Sequence, residues 1–150
     1  MLKVLIALDG SEIADQTLGL AAQLLAGQQT ETTVLHVIPR HLVYGKGGPV
    51  VLETYDPDEE RVHTEALLND AAARLQQAGV GPSIVKELEV GDPAGLILAA
   101  AEAKGADLII LGSRGLNAAQ RFLLGSVSNK VVTHAHCAVL VAHPKHDHAS

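Results

Sequence analysis

Short runs of aliphatic residues alternate with helical patterns along this chain. The aliphatic runs predict β-strands near residues 2–8, 31–37, 83–90, 107–112 and 137–142. The apolar spacing between them predicts helices near residues 11–26, 57–78, 93–104 and 126–135. Strands that alternate with helices form right-handed crossovers, which give a mainly parallel sheet with helices on both faces. We therefore expect a doubly wound α/β fold.

Proline and glycine mark the predicted helix ends. Asp56-Pro57 and Asp92-Pro93 each place a capping carboxylate before a proline of the first turn. Glycines stand where three helices are expected to end, at Gly27, Gly79 and Gly105. Residues 39–55 have no clean period and read as a mobile loop, either a lid over a binding site or a surface excursion.

Two of the predicted strands differ in charge. The strand at residues 83–90 alternates charged and apolar residues, as an edge strand does when it avoids pairing with other molecules. The strand at residues 137–142 carries no charge, and at an edge it would invite a partner. We expect a homodimer through this last strand, unless the strand is central or the C-terminal tail covers it.

Composition limits the classes of function. With 150 residues, 47% of them hydrophobic, we expect one domain over residues 1–150 with a polar tail at residues 143–150. A net charge of −6 and an aromatic content of 2% argue against nucleic-acid binding. The absence of a signal segment or an apolar run of membrane-spanning length leads us to expect a cytoplasmic protein without membrane insertion.

Three glycines follow the fourth predicted strand and lead into the last helix: Gly112, Gly115 and Gly125. Glycine lets backbone approach a ligand closely, and a helix that starts at Ser126 directs unpaired N–H groups and its positive dipole end at the same space. Together with the hydroxyls of Ser126 and Ser128, this pattern predicts a site for nucleotide phosphates. A purely structural turn is the alternative.

Asp9 ends the first predicted strand, and if that strand neighbours the fourth, Asp9 and the glycine loop face one pocket. Its carboxylate then accepts hydrogen bonds from a ribose or adenine, or helps to hold a metal; its alternative role is to cap the first helix. Arg114 is placed to reach phosphate oxygens, with which a guanidinium pairs well. Beside a triphosphate we expect Mg²⁺, held mainly by water and phosphate oxygens.

Other sites have little support in the sequence. Neither a P-loop motif nor a G-x-G-x-x-G motif after the first strand is present, and no nucleophile–base pair stands near the glycine loop, so we predict no catalytic residues. His134 and His136 lie beside the single Cys137, but successive residues at a helix end do not converge on a metal, and we predict no metal ligands. Cys137 and His36 are expected to be packed or hydrogen-bonded groups.

The chain resembles the ATP-binding subgroup of the universal stress protein family. The resemblance covers essentially the whole chain and is carried by three stretches: Gly112-x2-Gly115-x9-Gly125-Ser126, Val4-Leu-Ile-Ala-Leu-Asp9-Gly-Ser11 and Leu35-His-Val37. It implies an adenine nucleotide alpha hydrolase-like fold, with five parallel strands in the order 3-2-1-4-5. It also implies ATP as ligand and a dimer joined through the last strand.

The resemblance implies roles for individual residues as well. Asp9 and Val37 match the adenosine contacts, and Leu111 and Gly112 lie under the nucleotide. Gly115 matches the glycine of the phosphate loop. Ala7 stands where a proline is frequent in the family, without removing a polar contact. The triphosphate and ribose end is matched by four consecutive residues, Gly125, Ser126, Val127 and Ser128.

We therefore expect an ATP-binding protein with a regulatory or signalling role in the stress response. It would act by a nucleotide-dependent change in the 39–55 loop or in the dimer surface, and it need not be an enzyme. A dimeric adaptor that binds no nucleotide is the first alternative. An enzyme that hydrolyses ATP slowly is the second.

Overall fold

The computed structural model describes residues 1–9, 12–39, 42–45, 47–51, 57–113 and 124–143. Seven strands are described there: β1 (Leu2–Leu8), β2 (Gln29–Pro39), β3 (Leu42–Gly45), β4 (Gly48–Val51), β5 (Gly81–Gly91), β6 (Leu108–Gly112) and β7 (Ala138–Ala142). Four helices are described: α1 (Glu12–Leu25), α2 (Pro57–Gln77), α3 (Pro93–Lys104) and α4 (Ser126–His134). None of these helices is long and apolar enough to cross a bilayer.

The main sheet has five parallel strands in the order β5-β2-β1-β6-β7. When only the five strands of this sheet are numbered along the chain, leaving out β3 and β4, the order is 3-2-1-4-5. This is the predicted order, so the doubly wound fold is confirmed. The predicted edge position of the charged strand, β5, is confirmed as well. The order reverses at β1, which pairs with β2 on one side and with β6 on the other. Such a reversal leaves a crevice at the carboxyl ends of the strands.

Aliphatic side chains bury the sheet on both faces. Leu5 and Ile6 are adjacent in β1, point to opposite faces and are each 0% exposed. One face packs under α1 and α2 with Val4, Ile6, Leu8, Leu18, Leu68 and Leu75. The other face packs under α3 and α4 with Leu5, Leu35, Ile97, Ile109, Leu111 and Val131. This two-sided burial explains why the central strands are continuous apolar runs.

Helix α3 has both of its predicted end signals. The Asp92 carboxylate accepts a hydrogen bond from the Gly95 N–H at 3.0 Å, and Pro93 occupies the first turn. Gly105 ends the helix with φ of 62°, a conformation that favours glycine. Asp56, the corresponding signal for α2, lies outside the described residues. The cap matters for the site because it sets where the start of α3 meets the sheet.

The prediction of an irregular loop over residues 39–55 is wrong for β3 and β4. These strands pair antiparallel, with Gly45 opposite Gly48 and Val43 opposite Val50. Two residues separate the glycine pair, which is the length of a tight hairpin, and β-branched valines favour strands. Glycine and proline at the turn concealed the short apolar runs on either side. Residues 40, 41, 46 and 52–56 lie outside the described residues.

Candidate functional site

A cavity of about 310 Å³ lies in the crevice at the carboxyl ends of β1, β2 and β6. The starts of α1, α3 and α4 complete its walls. The described residues that line it are Ala7, Leu8, Asp9, Ala14, Thr17, Leu35, Val37, Pro39, Pro93, Ile97, Leu111, Gly112, Gly125, Ser126, Val127 and Ser128. The volume is within the range of small-molecule sites, about 300–1,000 Å³.

One side of the cavity is an apolar slot. Ala7, Val37 and Leu111 come from three neighbouring strands, while Pro93 and Ile97 come from the first turns of α3. Val37, Ile97 and Leu111 are less than a tenth exposed and belong to the core on that face of the sheet. The two faces of a flat ring, such as a heterocyclic base, would meet apolar side chains here. No polar side chain among the described residues of this part of the wall would lose its contact with water.

Another part of the cavity wall is the beginning of α4. The N-cap is Gly125, which has no side chain to cap the helix, and the first helical hydrogen bond runs from the Asn129 N–H to the Gly125 carbonyl at 2.9 Å. The N–H groups of Ser126, Val127 and Ser128 precede that bond, and all three residues line the cavity. Because these groups carry the positive end of the helix dipole, this side of the cavity suits an anion.

The Ser113 carbonyl fastens α4 to the end of β6. It accepts a hydrogen bond from the Gly125 N–H at 2.6 Å and another from the Ser128 hydroxyl at 2.7 Å. The Ser113 N–H donates to the Ala142 carbonyl at 2.8 Å, which ties the same residue to the end of β7. The Ser128 side chain is buried and its hydroxyl also lies 3.1 Å from the Gly125 carbonyl. The Ser128 side chain thus joins the first turn of α4 to the residue that follows β6, in addition to any contact that its main chain makes with a ligand.

Two more polar groups shape the β1 end of the cavity. Asp9 follows β1 directly and is exposed. His36, on β2, is 8% exposed and its Nδ1 lies 2.8 Å from the Leu8 carbonyl oxygen. A carbonyl oxygen only accepts, so Nδ1 carries the proton. The expectation that His36 is a hydrogen-bonded core or pocket-edge group agrees with this bond.

The structure brings together nine of the eleven residues predicted for the site. They are Ala7, Asp9, Val37, Leu111, Gly112, Gly125, Ser126, Val127 and Ser128, and all line the cavity. Arg114 and Gly115 lie outside the described residues, as does the rest of the stretch 114–123. What these residues bind stays a prediction.

Seven lining residues were not predicted from the sequence: Leu8, Ala14, Thr17, Leu35, Pro39, Pro93 and Ile97. The sequence contained a pattern from which some of them could have been predicted. Helices that follow β1 and β5 must start at the same edge of the sheet as the glycine loop, so their first two turns face the crevice. Ala14 and Thr17 are three residues apart and share one face of α1 there. Pro93 and Ile97 are four residues apart and share one face of α3.

Few of the described residues in the cavity wall are charged. Asp9 is its acidic residue, and no lysine or arginine is present among the described lining residues. Throughout the described part of the chain, no three His, Cys, Asp or Glu side chains form a group able to hold a metal ion. On the described side of the cavity, an anion would therefore be met by main-chain N–H groups.

Cys137 lies away from this cavity, just before β7, and packs against the core beneath α3 and α4. Burial, together with the negative charge of Asp107, raises the pKa of its thiol. The thiol therefore stays protonated at neutral pH, which makes it a poor nucleophile. This favours the packing role that the sequence suggested.

Comparisons with known proteins agree on one family. A model described as the universal stress protein family matches residues 1–143. Universal stress protein YxiE of Bacillus subtilis (strain 168) is 36% identical over 145 residues, which cover 93% of this chain and 97% of that protein. The structure of hypothetical protein MJ0577 superposes with a TM-score of 0.74 at 26% identity, covering 97% and 98% of the two chains. A universal stress protein in complex with cAMP superposes with a TM-score of 0.68 at 25% identity, covering 95% and 96%.

The junction at Ser113 yields a stability prediction. Ser128→Ala removes a buried hydroxyl and its bond to the Ser113 carbonyl, and we expect the free energy of unfolding to fall by about 1–2 kcal/mol. Thr133→Ala is the matched control, because its exposed hydroxyl donates to the Asn129 carbonyl in the same helix and its loss should change stability little. Urea denaturation of both variants measures the difference. Equal changes would contradict a fastening role for Ser128.

Proposed function

Because this chain belongs to the universal stress protein family, we propose that it binds ATP in the cavity at the carboxyl ends of β1, β2 and β6. The observation that carries the proposal is the pairing, within one cavity, of an apolar slot with an uncapped helix N-terminus. An adenine nucleotide has the complementary halves, a flat base and a charged phosphate chain. A member of the family has been solved with the adenine nucleotide cAMP, which supports the choice of base.

The two halves of the cavity orient the nucleotide. Its base lies between Val37 and Leu111 on the sheet side and Ile97 on α3, where apolar contact is available. Its ribose meets the Asp9 carboxylate, which accepts hydrogen bonds from hydroxyl groups. Its phosphates meet the N–H groups of residues 126–128 and the glycine loop, in which Gly115 and Arg114 are further proposed contacts.

Mg²⁺ accompanies ATP in this proposal. The donor set fits an ion that the nucleotide brings with it, because Asp9 is the carboxylate on the described cavity wall and Mg²⁺ tolerates few protein ligands. Phosphate oxygens and water supply most of the ligands. The ion neutralises phosphate charge where the described wall carries no basic side chain.

The proposed role is regulatory. Pro39 lines the cavity and is the last residue of β2, so a bound nucleotide touches the root of the segment that contains β3 and β4. Through Ser113 the glycine loop is also tied to β7. Occupancy of the cavity is thereby linked to two surfaces that another protein can contact. In this proposal any hydrolysis of ATP is slow and incidental to that role.

The homodimer belongs to the same proposal. β7 is an edge of the five-stranded sheet, and its five residues, Ala138–Ala142, carry no charge. The opposite edge, β5, carries Lys86, Glu87 and Glu89, which discourage pairing. We place the dimer contact at β7, where a second copy covers the uncharged edge.

A charge placed at the start of α4 tests the phosphate position. Ser126→Glu puts a carboxylate where the phosphates are proposed, and we expect its Kd for ATP to be at least about tenfold weaker than that of Ser126→Gln, which matches it in size. The fold is kept because an acidic residue favours a helix N-terminus. Isothermal titration calorimetry with AMP, ADP and ATP should show a difference between the two variants that grows with each phosphate.

Two results would contradict this account in different ways. Equal ATP affinity for Ser126→Glu and Ser126→Gln would place the phosphates elsewhere. A wild-type protein that binds no nucleotide would contradict the proposed ligand and favour the adaptor. One that binds GTP as tightly as ATP would contradict the choice of adenine as the base.

The dimer contact is tested by lysines at the two edges of the sheet. Ala138→Lys introduces a charge at an exposed position of β7, and Val85→Lys introduces one at a position of β5 that is 44% exposed. In sedimentation experiments we expect the wild type and Val85→Lys to have the mass of a dimer and Ala138→Lys to have the mass of a monomer. A dimer that survives Ala138→Lys and dissociates in Val85→Lys would move the contact to β5.

A further inference from the structure

A buried histidine holds the last residue of the central strand. His36 and Leu8 are register partners at the end of the β1–β2 pairing, and the His36 Nδ1–H donates to the Leu8 carbonyl at 2.8 Å. On the other side of β1, the described pairing with β6 stops one residue earlier, at Ala7 and Leu111. The imidazole therefore supports β1 where the pairing with β6 has already ended.

His36 acts from the side of the sheet opposite the base slot. Its neighbours in sequence, Leu35 and Val37, line the cavity and belong to the core under α3 and α4. Val34, two residues before it, belongs to the core under α1 and α2, as does Leu8. Because side chains alternate along a strand, the imidazole shares the face of Val34 and has no direct contact with a ligand in the cavity. The hydrogen bond to the Leu8 carbonyl connects His36 to β1, the strand that leads to Asp9.

The peptide group between Leu8 and Asp9 provides that route. A peptide group is planar, and in the trans form its carbonyl and its N–H point in opposite directions. When the Leu8 carbonyl is held toward β2, the Asp9 N–H must point the other way. The plane of this peptide group, and the position of the Asp9 Cα at its end, are then fixed. Asp9 is the acidic group on the described cavity wall.

We propose that His36 is a positioning residue of the nucleotide site, which orients Asp9 toward the ribose by holding the Leu8 carbonyl. The inference rests on the proposed binding of ATP. It assigns a polar residue outside the cavity to the site, and it explains why a donor is buried in an otherwise aliphatic stretch of β2. The donor at Nδ1 is the essential feature, and an aromatic ring is not required.

Three substitutions at His36 distinguish the effect of its hydrogen-bond donor from the effect of its packing. The side-chain amide of asparagine carries its N–H at the place of Nδ1, glutamine carries it farther out near the place of Nε2, and leucine has no donor. By calorimetry we expect the Kd for ATP to weaken about tenfold in His36→Leu and His36→Gln. We expect His36→Asn to stay within about threefold of the wild type. Affinity that follows side-chain size, with His36→Asn as weak as His36→Leu, would overturn the inference.

A double-mutant cycle with Asp9→Ala tests the route. If His36 acts through the Asp9 side chain, His36→Leu should lose its effect on the Kd once Asp9 is alanine. A tenfold effect that persists in the Asp9→Ala background would show that His36 supports the fold in general. It would overturn the inference while leaving the nucleotide site standing.

Nuclear magnetic resonance of the nucleotide-free protein provides a readout that does not depend on affinity. The Asp9 amide resonance should shift in His36→Leu and His36→Gln and stay near its wild-type position in His36→Asn. An Asp9 amide that is unchanged in all three variants would overturn the inference even where a variant is destabilised. Failure of the wild type to bind any adenine nucleotide would instead overturn the proposed function, and the inference with it.

Discussion

The central strand β1 is the element on which the site depends. It pairs with β2 and β6 on opposite sides and is buried on both faces, so its position is set by hydrogen bonds and by core packing together. The strand order reverses at β1, and the helices that follow β1 and β6, α1 and α4, pack on opposite faces of the sheet. The crevice that this leaves is the cavity, and Asp9 stands at its edge because β1 ends there.

Two side chains hold the ends of the strands that frame the crevice. On β2, His36 donates to the last carbonyl of β1; on α4, Ser128 donates to the carbonyl that follows β6. Both side chains are buried and both meet main chain. Hydrogen bonds of this kind are costly to leave unmade, so they fix the Leu8 carbonyl at the end of β1 and the junction of α4 with the residue after β6.

Much of the fold followed from the sequence, because apolar periodicity reports which faces are buried and proline and glycine report where helices end. The glycines and Ser126 likewise predicted one side of the cavity. A strand that leads through glycine into a helix can adopt only a few backbone conformations. The hairpin was missed because the glycines and the proline at its turn concealed the short apolar runs on either side. Thr17, Pro93 and Ile97 were missed although they lie in the first two turns of α1 and α3, at the edge of the sheet where the glycine loop was predicted. The sequence predicted that His36 is packed or hydrogen-bonded, but its partner was beyond reach, since the bond joins residues 28 apart through one side-chain nitrogen.

Thermal unfolding with and without ATP and Mg²⁺ tests the central claim most directly, with GTP and AMP as controls. A ligand present at a hundred times its Kd adds about 2.7 kcal/mol to the stability of the folded state. For a chain of this size, that corresponds to a rise in Tm of about 5–10 °C. The account predicts such a rise with ATP and none with GTP. An unchanged Tm with every nucleotide, in protein shown to carry none from purification, would contradict it.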